Sequence, residues 1–395
     1  MLRYFTAGES HGKGLLALLD GFPAGMTVDE DQINAALRLR QGGYGRGGRQ
    51  AIETDTVEVL TGVRNGVTMG SPVALWVKNK DFKLPTMPEI DRPRPGHGDL
   101  AGAMKYLNGV RNILERSSAR ETAAKVAAGA FCRQLLEIVG IHTLGYVNSI
   151  GTVFLGPKDD AWKYLSPENG SDQPSDLETL RQWRNESPLY SLSDKQSVVN
   201  ACALIDKMKA EGDTIGGDIV VHVSGLPFGL GTHAQWLDKL DGRLAQIVMS
   251  VQAIKAVEIG GGYSCSALPG SQVHDPIHFN PNLVHSSCLG WTRPQNRAGG
   301  LEAGMTNSQD IVICAAMKPI PTLRRPLDSV SFSTKQPTEA VFERSDVCAV
   351  PAAAIVLESV VAIEITSALI DKFGGDSVEE LTERVKLFNE LARKQ

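Results

Sequence analysis

The stretch that decides the fold reads LLALLDGFPAG at residues 15–25, an apolar run that ends in a Gly-x-Pro-x-Gly turn. Proline presets the backbone angle φ and the flanking glycines permit positive φ, so the run predicts a strand that ends in a tight turn. Beyond the turn, apolar side chains share one helical face of residues 28–40, at Ile33, Ala36 and Leu37. The stretch therefore predicts a strand–turn–helix unit.

The same unit occurs a second time, around the turn GLPFG at residues 225–229. An apolar run at residues 219–223 precedes this turn, and residues 236–254 follow it with one apolar helical face. The residues of that face are Leu240, Leu244, Ile247 and Val248. Because turn, strand and helix recur in the same order, the chain predicts an internal pseudo-repeat.

Three further helices are predicted at residues 118–139, 352–372 and 377–393, and short strands at 57–60 and 73–77. The first helix has an apolar stripe behind a capping box of Ser118 and Glu121, in which each side chain would bond the other residue's backbone N–H. The second is almost wholly apolar in its first half, which predicts burial on most sides.

Residues 156–197 differ from the rest of the chain because they are polar and rich in turn-forming residues. Within them, residues 177–183 predict a short helix. Since the strand–turn–helix sequence pattern occurs again beyond this segment, we interpret the segment as a polar surface excursion and not as a domain boundary. Residues 1–395 are therefore expected to form a single domain.

Composition excludes several classes of protein. Of the 395 residues, 42% are hydrophobic and 22% charged, as in ordinary globular proteins. The formal net charge of −5 disfavours binding to nucleic acid or to a membrane surface. Six cysteines without a CxxC pair indicate reduced thiols and no zinc site, and no other metal motif occurs. Without a signal peptide or an apolar run of transmembrane length, the sequence predicts a cytoplasmic protein.

Two glycine-flanked histidines are candidates for catalysis. GESHG at residues 8–12 and RPRPGHGD at residues 92–99 place His11 and His97 on closely approachable backbone, where an imidazole can act as acid or base near neutral pH. In the structural alternative, His11 bonds local backbone and His97 pairs with Asp99 on a loop. The two prolines that stiffen the second segment favour a functional role for His97.

An arginine–glycine segment, RLRQGGYGRGGR at residues 38–49, predicts a site for a small anion. Loop glycines expose backbone N–H groups, and arginine binds carboxylate or phosphate through two hydrogen bonds. The alternatives are a solvated loop and an RNA-binding segment of the RGG type. Such RNA-binding segments usually repeat within basic, disordered chains, so a single copy in an acidic protein favours the small anion.

Three shorter motifs complete the candidate set. ERSSARET at residues 115–122 lies at a predicted helix N-terminus, which attracts anions, although Ser118 can simply cap that helix. KPIPT at 318–322 offers a cation and a hydroxyl on stiff backbone, and ERSD at 343–346 holds a carboxylate beside an arginine. Either of these two alone is more often structural. The sequence has neither a P-loop nor a dinucleotide-binding fingerprint.

In this order the six motifs resemble those of the chorismate synthase family, over essentially the whole chain. The resemblance implies an α+β fold, a β-α-β sandwich of two antiparallel sheets around a helical core, and a homotetramer. It implies a 1,4-anti elimination of phosphate from 5-enolpyruvylshikimate 3-phosphate to give chorismate, a step of the shikimate pathway. Reduced FMN is implied as cofactor without net redox change, because it can lend electron density as phosphate leaves and recover it with the hydrogen.

The resemblance also implies roles for individual residues. His11, supported by Ser10, would be the acid that faces the leaving phosphate, and His97 would protonate the reduced flavin. Asp346 would help to remove the C6 hydrogen through flavin N5, with Ser118 in the same hydrogen-bond relay. The residues implied to contact flavin are Arg116, Ser117, Ser118, Gln252, Ala253, Ala303, Lys318, Pro319, Ile320, Pro321, Thr322 and Arg344. Those implied to bind substrate are Arg40, Arg46 and Arg49, of which Arg40 and Arg46 also match NADPH positions.

Two positions depart from the family's pattern. Gly98 replaces the usual alanine after the second histidine, and Ala303 replaces a glycine that contacts flavin. Since no separate nucleotide motif is visible, we expect NADPH to act at most as a reductant and an external flavin reductase to supply the reduced cofactor.

Overall fold

Two four-stranded antiparallel sheets frame the fold in this computed structural model, which describes residues 2–47, 54–157, 177–343 and 345–395. The first sheet contains, in spatial order, β1 (Arg3–Gly8), β2 (Gly14–Asp20), β6 (Val73–Lys78) and β3 (Val57–Thr61). The second contains β11 (Ile254–Ile259), β16 (Ile311–Met317), β10 (Gly217–Ser224) and β7 (His142–Val147). The expected mixture of helices and strands is confirmed.

The remaining strands form short two-stranded ladders. These pair β4 (Val63–Arg64) with β5 (Val67–Thr68), β8 (Ser149–Ile150) with β9 (Val153–Phe154), β12 (His278–Phe279) with β13 (Trp291–Thr292), β14 (Leu301–Glu302) with β15 (Met305–Thr306), and β17 (Asp328–Val330) with β18 (Pro337–Glu339). The α-helices of the described residues are α1 (Glu30–Gln41), α2 (Asp99–Tyr106), α3 (Val110–Ser117), α4 (Thr122–Ile138), α5 (Leu177–Glu186), α6 (Lys195–Glu211), α7 (Leu240–Met249), α8 (Gly270–Val273), α9 (Val350–Phe373) and α10 (Val378–Ala392).

The first strand–turn–helix unit is present as predicted. Alternate side chains of β2 are fully buried, and Gly21 and Gly25 of the turn have φ of 87° and 92°, the left-handed region that glycine adopts without steric cost. Helix α1 begins at Glu30, two residues later than predicted. The reason is Asp29, whose side chain accepts hydrogen bonds from two backbone N–H groups of the first turn and so caps the helix.

The second unit has a shorter helix than predicted. Its turn glycines, Gly225 and Gly229, again have positive φ, at 75° and 77°. The helix predicted over residues 236–254 is wrong in extent, because a 3₁₀ turn precedes α7 and Ile254 already begins β11. Ala253 lies between them with φ of 68°, a left-handed conformation that interrupts a right-handed helix.

The predicted capping box at the start of α4 is also wrong. The Ser118 hydroxyl accepts from the backbone N–H of Arg120 at 3.3 Å, which caps a 3₁₀ turn over residues 119–121. The Glu121 carboxylate turns away from Ser118 and accepts hydrogen bonds from Thr6 at 2.7 Å and from Gln252 at 3.1 Å. Hydrogen bonds to residues distant in sequence, Thr6 and Gln252, therefore replace the local capping-box bond that the sequence pattern predicts.

Helices α4 and α9 connect the two sheets through their packing contacts. Helix α4 packs on β2 and β6 of the first sheet, α9 packs on β7 and β10 of the second, and the two helices pack against each other. Their crossing is close at Gly129, because a Cβ atom built there would lie 2.3 Å from the carbonyl oxygen of Ser359. Glycine is required at this point by the approach of two backbones.

Substituting Gly129 by alanine is therefore expected to destabilise the fold by about 1–3 kcal/mol through overpacking, despite alanine's better helix propensity. Gly242→Ala is the matched control, since Gly242 is exposed in α7 and the nearest atom to an added Cβ is 3.9 Å away. That control is expected to gain up to about 1 kcal/mol. Urea denaturation measures both, and equal effects of the two variants would contradict the close crossing.

Helix α9 corrects the sequence prediction that no apolar run has transmembrane length. Val350–Phe373 is long and apolar enough to cross a membrane by length and composition alone, but 94% of its most apolar window is buried inside the protein. The helix packs against α1, α4, α7 and the second sheet, which accounts for this burial.

The described part of the predicted excursion comprises residues 156–157 and 177–197, whereas residues 158–176 lie outside the described residues. Its helix α5 packs on the outer face of the second sheet. Leu177 and Leu180 of α5 join an apolar cluster with side chains of β7 and β10. Arg184, which is 1% exposed, donates to Glu358 of α9 at 2.6 Å and to the carbonyl of Gly145 at 2.8 Å. A buried ion pair therefore connects α5 to α9.

Candidate active site

His11 lies in the loop between β1 and β2 and is held by Glu115 of α3. Its backbone N–H donates to Glu115 Oε2 at 2.7 Å, and its ring Nδ1 lies 2.9 Å from Glu115 Oε1. The neighbouring Ser10 is 1% exposed, and its backbone N–H donates to the Glu115 carbonyl at 2.8 Å. Asn79, directly after β6, donates to carbonyl oxygens of the same loop. The sequence alternative of a histidine bonded to local backbone is wrong, since the ring's partner is 104 residues away.

Asp55 connects this loop to the arginine–glycine segment. Asp55 is 1% exposed. Its carboxylate accepts a hydrogen bond from the Arg120 guanidinium at 2.7 Å and lies 3.4 Å from that of Arg40. Arg120 also donates to Asn79 Oδ1 at 2.9 Å. Burial lowers the pKa of Arg40 to about 9, with Asp55 opposing that shift, so Arg40 stays protonated at neutral pH. Its remaining nitrogens donate to Thr122 and to the Ala119 carbonyl.

Arg46 and Asp346 form the next link. Arg46 Nη1 donates to Asp346 Oδ2 at 2.5 Å, and the backbone N–H of Gly47 donates to Asp346 Oδ1 at 2.6 Å. Both side chains are largely buried, at 11% and 15% exposure. Arg40 lies close enough that the charges of Arg46 and Asp346 both act on its pKa. The two motifs at 38–49 and 343–346 therefore meet.

The arginine–glycine loop is braced from outside by α6 and the segment before it. The Tyr44 hydroxyl donates to the Asp206 carboxylate of α6 at 2.8 Å, and the Tyr44 backbone N–H donates to the Pro188 carbonyl at 2.7 Å. On the inner side, Gly45 has φ of 91°, and a Cβ there would lie 2.9 Å from Cys348 Cβ. Residues 44 and 45 are thus packed on both sides, which disfavours the alternative of a solvated loop.

His97 is held by a second buried carboxylate, that of Asp99 at the start of α2. His97 Nδ1 lies 2.5 Å from Asp99 Oδ1, and Asp99 is fully buried. Arg94 donates to the same carboxylate through Nε at 2.8 Å and Nη2 at 3.0 Å. Arg94 Nη1 also donates to Thr322 Oγ1 at 3.0 Å, which joins this segment to KPIPT.

The residues implied to contact flavin gather mainly around these segments. Lys318 Nζ donates to the Gly96 carbonyl, and its backbone N–H donates to the Ala253 carbonyl at 3.0 Å. The side-chain amide of Gln252 donates a hydrogen bond to the Glu121 carboxylate, which also accepts one from the Thr6 hydroxyl. Arg116 donates to the carbonyl oxygens of Thr6 and Gly8, while Ser117 lies next to Gly98. Pro321 lies near Gly96, and the Ile320 carbonyl accepts from Thr214 at 2.7 Å.

A chain of contacts therefore links the segments that carry the motifs. Its hydrogen bonds run from the loop of His11 through Asn79, Arg120 and Asp55 to Arg40. Arg40 and Arg46 belong to the same arginine–glycine segment, and Arg46 binds Asp346. The second part leads from Ser345, whose hydroxyl donates to the Thr322 carbonyl at 3.1 Å, to Arg94 and His97. The structure thus links the segments that carry the two imidazoles, Arg40, Arg46 and Asp346.

Three of the implied residues fall outside this cluster or outside the described residues. Ala303 lies at the turn between β14 and β15 with φ of 51°, and the next residue, Gly304, accepts from the Leu240 backbone N–H at 2.9 Å. Among the described residues, no hydrogen bond joins Ala303 to the chain of contacts. Arg49 and Arg344 are not among the described residues.

Four residues of the site carry no role in the sequence prediction, namely Asn79, Asp55, Glu115 and Arg94. Glu115 and Arg94 belong to the motifs ERSSARET and RPRPGHGD, so their charge within these motifs could have indicated a role in the site. Asp55 and Asn79 have no local signal, because their partners are distant in sequence.

Comparisons with known proteins agree over nearly the whole chain. A family model described as chorismate synthase matches residues 2–370. The chorismate synthase of Geobacter metallireducens is 51% identical over 395 residues and covers 96% of both chains, and that of Moorella thermoacetica is 46% identical over 402 residues with 99% of both covered. A crystal structure of a chorismate synthase has a TM-score of 0.79 at 38% identity, with 100% of this chain and 99% of its own covered. The chain therefore belongs to the chorismate synthase family and is a lyase.

Proposed function

We propose that the chain eliminates phosphate from 5-enolpyruvylshikimate 3-phosphate to give chorismate, with reduced FMN as cofactor and no net redox change. One observation carries the proposal. His11, His97, Arg46 and Asp346 are far apart in sequence, yet hydrogen bonds link the segments that carry them. An arginine-rich site with two imidazoles and a carboxylate suits a polyanionic substrate that must lose phosphate and a hydrogen.

The residues present fit a bound FMN. Arg46 Nε and Gln252 Oε1 are buried without a hydrogen-bond partner among the described residues, which leaves a donor and an acceptor for a ligand. Gly98 leaves room beside it, since an added Cβ would meet only Ser117 Cβ, at 3.8 Å. Lys318 and Arg116 are cations of the kind that bind a phosphate dianion. When bound, reduced FMN would supply transient electron density to the allylic system as phosphate leaves.

The chain's own residues hold charges and protons around that centre. His11 Nε2 would donate a proton to the departing phosphate, and Arg46 would neutralise part of its charge. His97 would hold a proton beside the Gly96–Lys318 contact, and Asp346, fixed by Arg46 and Gly47, would present a carboxylate as base. Ser10 and Ser118 would support this arrangement through the loop and turn that carry them.

We also propose that the two halves form a β-α-β sandwich with an internal pseudo-repeat. The hydroxyl of Thr68 donates to the Pro23 carbonyl at 2.8 Å and accepts from the backbone N–H three residues after that proline at 2.9 Å. Thr306 repeats both bonds with Pro227, at 2.6 and 2.8 Å. Equivalent strands also occupy equivalent places in the two sheets, which supports the repeat.

The setting of the reaction is proposed from the family resemblance. We propose a cytoplasmic homotetramer that receives reduced FMN from an external flavin reductase, with NADPH at most an indirect reductant. Burial of α9 supports a soluble protein. The sequence contains no separate nucleotide fingerprint, and this supports the use of an external reductase.

The decisive assay measures phosphate and chorismate formed from 5-enolpyruvylshikimate 3-phosphate under anaerobic conditions. We expect both products with photoreduced FMN, and neither with oxidised FMN or with NADPH plus FMN in the absence of a reductase. Absence of product with photoreduced FMN would contradict the proposed function. Product with NADPH and FMN alone would instead contradict only the external reductase.

The alternative of an RNA-binding arginine–glycine loop predicts RNA binding with steep salt dependence and no flavin affinity. Pairing of Arg46 with Asp346 and of Arg40 with Asp55 disfavours it, since these guanidinium groups are already partly neutralised. Filter binding of the full chain to RNA at two salt concentrations separates the two functions.

A further inference from the structure

The two imidazoles of the site share one feature that the proposed roles do not require. Each ring has its Nδ1 against a buried carboxylate from a neighbouring helix, 2.9 Å from Glu115 for His11 and 2.5 Å from Asp99 for His97. Neither Nε2 has a hydrogen-bond partner among the described residues. Both rings therefore present the same nitrogen to the site.

The carboxylates fix which nitrogen carries the proton. Burial alone would raise the pKa of Glu115, but hydrogen bonds from the His11 ring and backbone outweigh it and hold the pKa below its usual range. Burial likewise opposes ionisation of Asp99, yet hydrogen bonds from His97 and Arg94 hold its pKa well below the usual range. An ionised carboxylate can only accept, so the facing Nδ1 must donate.

Arg94 offers His97 an alternative partner, because its Nη2 lies 3.2 Å from His97 Nδ1. In that arrangement Nδ1 would accept from Arg94 and Nε2 would carry the proton. The 2.5 Å separation between Nδ1 and Asp99 Oδ1 excludes it, since two lone pairs at that distance repel each other. Arg94 instead donates to the same Asp99 oxygen at 3.0 Å.

We propose that Glu115 and Asp99 are positioning residues that keep a proton on Nδ1 of His11 and His97, so that Nε2 of each ring is the atom that exchanges protons in the reaction. This inference rests on the proposed function. For His11, the Nε2–H bond breaks, an O–H bond forms on the departing phosphate, and the ring keeps Nδ1–H against Glu115. The ring thus ends as the neutral tautomer that its partner stabilises.

The cost of losing such a partner is large in other enzymes. In a Ser–His–Asp triad, replacing the orienting carboxylate by an amide leaves the geometry intact but lowers kcat by about 10⁴-fold, because the wrong nitrogen carries the proton. Glutamine at position 115 can likewise turn its amide N–H₂ towards Nδ1 and favour the opposite tautomer.

The wild-type test is direct and needs no variant to fold. In full-length enzyme with ¹⁵N-labelled histidine, long-range ¹H–¹⁵N spectra report which ring nitrogen carries the proton. Signals that are lost in His11→Ala and in His97→Ala assign the two rings. We expect the Nδ1–H tautomer for both neutral rings. A proton on Nε2 of either neutral ring overturns the proposal for its carboxylate.

The kinetic test uses Glu115→Gln and Asp99→Asn. We expect kcat to fall by roughly 10²–10⁴-fold while KM changes by less than about threefold, together with loss of the Nδ1–H signature of the affected ring. Glu383→Gln, an exposed carboxylate on α10, is the control and is expected to keep wild-type kinetics.

A variant that keeps wild-type kcat, or one that changes KM alone, overturns the positioning role. Failure of the proposed function itself looks different. In that case wild-type enzyme forms no chorismate with photoreduced FMN, whereas the ring spectra still report where each proton lies.

Discussion

Replacing His11 or His97 by alanine is expected to lower kcat by roughly 10²–10⁴-fold, the range that a positioned proton donor or acceptor contributes. KM for the substrate is expected to change by less than about threefold, because arginines and not the imidazoles supply most of the attraction for a polyanion. The reason lies in the geometry: each ring is held through Nδ1 by a buried carboxylate, and Nε2 has no hydrogen-bond partner among the described residues. Steady-state kinetics with photoreduced FMN measures both constants.

His233→Ala is the control for both variants, because His233 is exposed on the loop before α7. It is expected to leave kcat and KM unchanged. If either active-site variant turned over as fast as the control, that histidine would have no part in the chemistry, and the contact chain would be a structural feature only.

Substitution of Glu358 by glutamine is expected to lower the free energy of unfolding by about 3–5 kcal/mol. Glutamine keeps the shape of the side chain but removes the charge that balances Arg184 at 2.6 Å and Arg133 at 3.0 Å. Arg184 is 1% exposed, so it would be left as a buried charge without its counter-charge. Urea denaturation at neutral pH measures the loss.

The same carboxylate predicts a pH dependence of stability. Burial would raise the pKa of Glu358, but the nearby arginines outweigh it and lower the pKa from 4.5 to about 2. Because the folded-state pKa is depressed, the stabilisation is present above about pH 4.5 and is lost as pH falls towards about 2. The unfolding free energy of the wild-type protein should therefore fall more steeply than that of the variant over this interval.

Glu137→Gln provides the matched control, since Glu137 lies 3.5 Å from Arg133 and from Arg181 but its side chain is 26% exposed. We expect it to cost less than about 1 kcal/mol, as for other solvated ion pairs. Similar losses in the two variants would show that burial of Glu358 does not determine its contribution.

Sequence reasoning succeeded where a residue's role is dictated by its neighbours in the chain. The Gly-x-Pro-x-Gly turns could be located because positive φ at their glycines is a local requirement. The glycine-flanked histidines could be proposed as candidates for a similar reason, since short motifs determine how closely a ligand can approach the backbone. Their catalytic roles stay predictions.

It failed where the partner is distant. The Ser118–Glu121 capping box is a good local pattern, yet Glu121 binds Thr6 and Gln252, which lie 115 and 131 residues away. Asp55 could not be assigned because its role depends on Arg120, 65 residues further along the chain. The partners of the two histidines, Glu115 and Asp99, were visible as polar residues, but only the coordinates show which nitrogen each carboxylate contacts.

The close crossing of α4 and α9 at Gly129 has a consequence for the reaction itself. The loop of His11 follows β1 of the first sheet, whereas the residues from Lys318 to Thr322 follow β16 of the second, so the packing of α4 on α9 contributes to the distance between these two segments. A substitution at this packing contact can change the distance between the reacting groups even though it contacts no ligand. Substitutions in α4 and α9 can therefore lower kcat in an enzyme that remains folded.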